Sequence, residues 1–148
     1  FGFCSGMGGQ IVQSTDNGRS WHVVNSLNDP FLNDIKFSSG NGFCSSSRGI
    51  YKTEDNGVTW TQVFGGNMST DIVLPLSENS CLAFGTGESY SAGPRALMYG
   101  AILQSINSGN DWVKYTLSNI STIQAASFYS STEGFAIARR SLIKIKVK

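Results

Sequence analysis

Imidazole, thiol and net charge are all scarce in this sequence. His22 is the single histidine, and Cys4, Cys44 and Cys81 are the three cysteines. A zinc site gathers several Cys and His ligands in one place, so neither a metal nor a cofactor is expected. Three thiols cannot all pair, which argues against a disulfide framework. Charged residues make up 14% of the 148, with a formal net charge of +1, and such a balance gives no reason to expect a nucleic-acid partner. No apolar run approaches the ~20 residues of a membrane-spanning helix. Nor does any stretch sustain a 3.6-residue apolar period, so helices are not expected. Phe1 stands where an initiator Met would be, and no basic-plus-apolar leader follows it. A processed or trimmed product is the expectation, and the lack of a leader says nothing about location, since any export signal would have gone with the removed part. The location expected is extracytoplasmic (secreted, periplasmic or luminal).

What the sequence does have is glycine, serine, threonine and asparagine, arranged in a repeat. Gly2-Phe3-Cys4 leads through Gln10-Ile11-Val12-Gln13 into Ser14-Thr15-Asp16-Asn17-Gly18-Arg19-Ser20-Trp21. Gly42-Phe43-Cys44 leads through Gly49-Ile50-Tyr51-Lys52 into Thr53-Glu54-Asp55-Asn56-Gly57-Val58-Thr59-Trp60. Cys81-Leu82-Ala83 leads, after an insertion, through Ala101-Ile102-Leu103-Gln104 into Ser105-Ile106-Asn107-Ser108-Gly109-Asn110-Asp111-Trp112. A fourth start, Gly134-Phe135-Ala136, runs into Leu142-Ile143-Lys144-Ile145 with no box after it. The tryptophans stand 39 and 52 residues apart. The first spacing is that of a four-stranded propeller blade, about 40 residues. The second is longer by 13, an excess that falls between Gly85 and Gly100.

Short strand signals separated by Gly/Asn/Ser/Asp turns mark an all-β chain. Asp34-Ile35-Lys36-Phe37, Asp71-Ile72-Val73-Leu74 and Gln124-Ala125-Ala126-Ser127-Phe128 read as inner strands, with Asp34 and Asp71 at equivalent places. The fold class is therefore a β-propeller of four-stranded antiparallel blades, with modules over about 1–32, 33–69, 70–121 and 122–148. The positions of Cys4 and Cys44 are matched by Ala83 and Ala136, which calls for a small buried residue, a role free Cys fills.

The box, Ser/Thr-x-Asp-x-Gly-x-Thr/Ser-Trp, describes a hairpin turn with its own fastenings. Its Asp accepts hydrogen bonds from turn amides, and the Asn-Gly pairs tolerate the positive φ of a tight hairpin. Its Trp contributes apolar area and an N–H that needs a partner. Ser14, Asp16, Gly18 and Trp21 form the first copy; Thr53, Asp55, Gly57 and Trp60 the second; Ser105, Asn107, Gly109 and Trp112 the third. In the third, Asn107 replaces Asp and Asp111 replaces the hydroxyl residue, which predicts a weaker network. Turn chemistry is favoured over catalytic or calcium-binding roles for Asp16 and Asp55, because calcium takes six or more oxygens and one Asp per turn is too few.

These boxes, STDNGRSW and TEDNGVTW, resemble the Asp-box, or bacterial neuraminidase repeat. The longer module is similar to photosystem II assembly/stability-factor-like propellers. Sortilin-type domains, sialidases and oligoxyloglucan hydrolases share the box. The resemblance implies the propeller fold and leaves activity open, because enzymes and non-enzymes carry the box alike. Sialidases of this kind need an arginine trio; here Arg19, Arg48, Arg95, Arg139 and Arg140 lie scattered, and no catalytic residue is assigned. The function read from this is a non-enzymatic binding or assembly scaffold. The alternative is part of a sialidase- or oligoxyloglucan-hydrolase-like propeller using two opposed acids.

The one large departure from the repeat is the segment from Gly85 to Gly100. Long loops on rigid scaffolds tend to carry recognition, and Tyr90, Arg95 and Tyr99 are residue types common at binding hot spots. They are the candidate binding residues, for a protein or glycan ligand. Lysines alternate with Ile143, Ile145 and Val147 on a strand with one wet face, which guards an edge against pairing. Strand counting gives a partial blade, two full blades and a partial blade. Another chain, or further blades on the N-terminal side, would then complete a ring.

Overall fold

The computed structural model describes residues 2–38, 40–66, 68–87, 99–120 and 122–147. Among these, fourteen strands and no helix appear. β1 (Gly2–Ser5), β2 (Gln10–Ser14) and β3 (His22–Ser26) form the first sheet; β4 (Leu32–Ser38), β5 (Asn41–Ser46), β6 (Gly49–Thr53) and β7 (Thr61–Gly65) the second. β8 (Ser69–Pro75), β9 (Cys81–Gly87), β10 (Tyr99–Ser105) and β11 (Val113–Leu117) form the third; β12 (Ile123–Phe128), β13 (Glu133–Ala138) and β14 (Ser141–Lys146) the fourth. Every pairing is antiparallel between chain neighbours. The inner strands β4, β8 and β12 lie successively beside one another, with β1 beside β4. This is the radial order of propeller blades.

Alternate residues of a strand point to opposite faces, so each blade feeds two interfaces. Ile11 of the first blade meets Leu32, Cys44 and Tyr51 of the second. Phe43 and Ile50 meet Val73, Cys81, Ala83 and Leu103 of the third. Leu82 and Phe84 meet Ile123, Ala136 and Ile145 of the fourth. The core is thus three slabs between blades. Phe84, fully buried, would cost about 3–5 kcal/mol if cut to Ala.

Two expectations need correction. The small buried position holds at Cys44, Ala83 and Ala136, but Cys4 is exposed. It points to the face of the first blade turned away from the second. Burial pushes the Cys44 thiol up to about 12, so this group is inert packing. Second, Asp34 and Asp71 are not equivalent. Ile35 faces Cys44 and Val73 faces Ala83, so Asp71 matches Asn33. Both inner strands carry a bulge there, between Leu32 and Asp34 and between Thr70 and Ile72. The turn into the next strand also differs: Phe37 pairs with Gly42, four residues intervening, whereas Pro75 pairs with Cys81, five intervening.

Candidate functional site

Each box closes the hairpin between the last two strands of its blade. Ser14, Thr53 and Ser105 end β2, β6 and β10, and Trp21, Trp60 and Trp112 stand immediately before β3, β7 and β11. Two consecutive left-handed residues make each turn: Asn17 and Gly18, Asn56 and Gly57, Ser108 and Gly109. These are the φ values of a primed hairpin turn, whose twist matches that of the strands it joins.

The hydrogen bonds repeat in each copy. The buried hydroxyl of Thr53 accepts from Gly57 N at 2.9 Å and donates to Asp55 Oδ1 at 2.7 Å. Asp55 then accepts from Thr59 N at 2.8 Å and from Thr59 Oγ1 at 2.6 Å. Trp60 Nε1 donates to Gly57 O at 3.1 Å. In the first copy, Asp16 accepts from Ser20 N at 2.9 Å, Ser20 Oγ at 2.6 Å and Ser14 Oγ at 2.9 Å. Trp21 Nε1 donates to Gly18 O. Donation by the Ser20 hydroxyl and amide holds the Asp16 carboxyl down at about 2. The Thr59 hydroxyl and amide do the same for Asp55, also at about 2. Charge-assisted bonds of this kind favour the ionised form.

The third copy was expected to be weaker, yet it loses no bond. Asn107 Oδ1 accepts from Asp111 N at 2.9 Å and from Ser105 Oγ at 3.0 Å. Asn107 Nδ2 donates to Asp111 Oδ2 at 2.7 Å, reversing the polarity of the Thr59–Asp55 bond. Gly109 N still donates to Ser105 Oγ, and Trp112 Nε1 to Gly109 O. The two replacements compensate each other. A sequence signal existed, since they stand four residues apart at the two partnered positions.

Tyr99 opens β10, pairs with Gly87 and is half-buried. Tyr90 and Arg95 lie outside the described residues. Sequence reasoning missed a groove of about 250 Å3 between the second and third blades, lined by Lys52, Glu54, Thr59, Thr61, Val63 and Asn110. Lys52 is nearly fully buried there and donates to Glu54 Oε1 at 2.5 Å and to Asn110 Oδ1 at 3.3 Å. Its signal was modest: Gln13 and Gln104 hold the corresponding places.

The remaining described acids serve varied local roles. Buried Asp29 accepts from Ser47 Oγ, Arg48 N and Phe31 N, fixing the loop before β4 to the β5–β6 turn. Asp34 accepts from Lys36 Nζ at 2.6 Å and from Val73 N at 3.2 Å. Burial raises the Asp71 carboxyl. Glu133 accepts from Tyr129 Oη and pairs with Lys144 and Lys146 at 3.3 Å each; the Tyr129 bond first, then the lysines, lower its carboxyl. No group of three or more His, Cys, Asp or Glu suited to a metal ion occurs among the described residues.

Blade geometry and fastened turns together define a β-propeller. No family model matches the chain, and no curated protein matches it. Solved structures do. An ancestral GH74 enzyme superposes on 97% of this chain and 21% of its own, with a TM-score of 0.80 at 16% identity. YCF48 from Cyanidioschyzon merolae superposes on 94% of this chain and 45% of its own, with a TM-score of 0.66 at 17% identity. The likeness is one of fold, and the chain spans less than half the length of either neighbour.

Proposed function

We propose that this chain is a non-enzymatic propeller scaffold for binding or assembly, built on Asp-box turns of the neuraminidase-repeat type. The observation that carries this reading is the use of the repeated acids. Asp16 and Asp55 are each committed to a hydroxyl and an amide of their own turn, and Asp111 accepts from Asn107. A carboxylate held ionised by its own turn is a poor general acid. The ligand is a protein or glycan taken on the loop face that includes residues 86–100, with Tyr90, Arg95 and Tyr99 as contacts. Incubating the complete protein with a panel of fluorogenic glycosides and sialosides tests the scaffold reading; no turnover is expected. Partner or glycan capture by a Tyr90→Ala/Arg95→Ala/Tyr99→Ala variant tests the loop, and loss of binding is expected.

A second reading, a glycosidase propeller, has one observation in its favour. Asp71 sits on an inner strand with its carboxyl raised by burial, as suits a proton donor. Asp34, on the neighbouring inner strand, is tied to Lys36. The ancestral GH74 enzyme is an enzyme on this fold. Glycoside turnover abolished by Asp71→Asn would establish this reading and end the first.

A further inference from the structure

The blades repeat, so each place in one can be set against the same place in the next. By strand register Gln13 faces Phe3, Lys52 faces Phe43 and Gln104 faces Leu82. Two residues further on stand Thr15, Glu54 and Ile106, and two residues before the box tryptophans stand Arg19, Val58 and Asn110. The groove between the second and third blades gathers Lys52, Glu54 and Asn110. At the same place between the first and second blades, Gln13, Thr15 and Val58 line the groove instead. Taking an ammonium out of water costs more than burying an amide, and the other two blades close around glutamine. The blade fold therefore does not call for the charge on Lys52.

Both walls of this groove belong to four-stranded blades that have a further blade on either side within the chain, so its shape does not depend on where the chain begins or ends. Lys52 is 4% exposed, whereas Glu54 is 70% exposed. An ammonium carries three N–H groups, and Glu54 Oε1 and Asn110 Oδ1 take two of them. Among the described residues the third has no protein partner, and neither do Glu54 Oε2, Asn110 Nδ2 and the Thr61 hydroxyl. Thr59 Oγ1 donates to Asp55 and keeps its accepting side. Val63 adds an apolar wall, packed against the cluster of Phe43 and Leu103. Donors and acceptors thus surround a space of about 250 Å3.

We infer that this groove binds one ring of a neutral sugar. A hydroxyl both donates and accepts hydrogen bonds, so neighbouring ring hydroxyls take Lys52 and Asn110 as donors and Glu54 Oε2 as acceptor, with a C–H face of the ring on Val63. An anion only accepts and would lie against the Glu54 carboxylate; a cation only donates and would lie against Lys52. A ligand without net charge meets neither repulsion. The space is smaller than the roughly 300–1,000 Å3 of clefts that enclose drug-sized molecules, which suits a single ring. The groove lies at the box end of the blades. In the third blade Ser105 pairs with Cys81 at that end, and Tyr99 pairs with Gly87 at the other, where residues 86–100 lie. This sugar site is thus separate from the loop contact proposed above, and it holds whether or not the scaffold reading does.

Titrating the whole chain with the methyl glycosides of glucose, galactose, mannose and xylose, followed by amide proton–nitrogen NMR, tests it. At least one glycoside should saturably shift the Asn110 side-chain amide and the backbone amides of Thr61 and Val63, with a Kd of about a millimolar. Gln13, Val24 and Val58, in the sister groove, should stay unmoved, and sodium acetate or phosphate should saturate none of these signals. Lys52→Gln installs the residue of the other two blades and should weaken binding about tenfold or more. Circular dichroism verifies folding, and Asn110→Val, which installs the residue of the sister groove, replaces Lys52→Gln with the same expectation if that variant loses its spectrum. No saturable shift with any of these glycosides, an equal response in the sister groove, saturation by acetate or phosphate, or undiminished binding by the folded variant would each overturn the proposal.

Discussion

The second and third box turns differ at their most characteristic residue and share nearly every bond. Thr53–Trp60 uses an acid at the third position and a hydroxyl at the seventh; Ser105–Trp112 uses an amide and an acid. In both, the third side chain accepts from the seventh backbone amide, at 2.8 and 2.9 Å. Only the side chain–side chain bond changes direction. What the repeat preserves is thus an acceptor for one amide and a complementary pair four residues apart. A second difference lies at the tip. Asn56 adopts φ 57° and Ser108 φ 59°, a region Asn enters more readily than Ser. Ser108 is held there by its hydroxyl, which donates to Asn79 Oδ1 at 2.9 Å and Glu78 O at 3.1 Å, and by its amide on Asn79 O. The third turn is fastened to the β8–β9 turn as well as to itself.

The largest effect should come from the feature the two turns share. Gly57→Ala and Gly109→Ala each force a methyl into a Phe ring at positive φ, and each should lose about 3 kcal/mol in urea unfolding. Gly18→Ala meets no such ring and should lose only the conformational part, about 1–2 kcal/mol. Next comes the buried hydroxyl. Ser105→Ala strands Gly109 N and should cost about 1–3 kcal/mol, and Thr53→Val should match it, since the same bond is lost in the second turn.

A smaller effect separates the turns. Asn107→Asp sets a carboxylate against Asp111 and should lower the melting temperature by a few degrees, about 1 kcal/mol of repulsion or less. Adding Asp111→Thr rebuilds the pattern of the second turn and should restore stability. If Asn107→Asp alone were neutral, the complementary-pair account would fail. Smaller again is Ser108→Ala, which removes two exposed hydroxyl bonds and should loosen the third turn in amide exchange with little change in global stability.

The propeller, the boxes and the four module starts, three Gly-Phe and one Cys-Leu, were legible in the sequence because each rests on local chemistry: alternation, a left-handed pair, a Trp. What was not legible depends on register and on neighbours. The turn after the inner strand is one residue longer in the third blade, so Asp71 matches Asn33 and not Asp34, and the Asp-Ile letters align where the strands do not. Cys4 reads the same as Cys44, yet only one has a blade over it. Lys52 is a charged letter in a nearly buried place, held by Glu54 two residues on and by Asn110 from the next blade. The compensation between Asn107 and Asp111 was visible as two departures, and only geometry showed them to be one exchange. Of the candidate binding residues, Tyr99 alone lies among those described.

Titration of the turns tests the central claim most directly, that the box acids are structural acceptors. The carboxyls of Asp16 and Asp55 are lowered from 3.8 to about 2, so their contribution is present above the unfolded value and is lost as pH falls through about 2. Asn107 gains no proton in that range. Amide temperature coefficients should be followed by NMR from pH about 5 downward, with near-UV circular dichroism reporting the fold. Ser20 and Thr59 are expected to lose their protected values with a midpoint near 2, while the Asp111 amide, bonded to the Asn107 side-chain oxygen, keeps its own. Ser20 and Thr59 unchanged through that range, or titrating at an ordinary carboxylate value, would contradict the account.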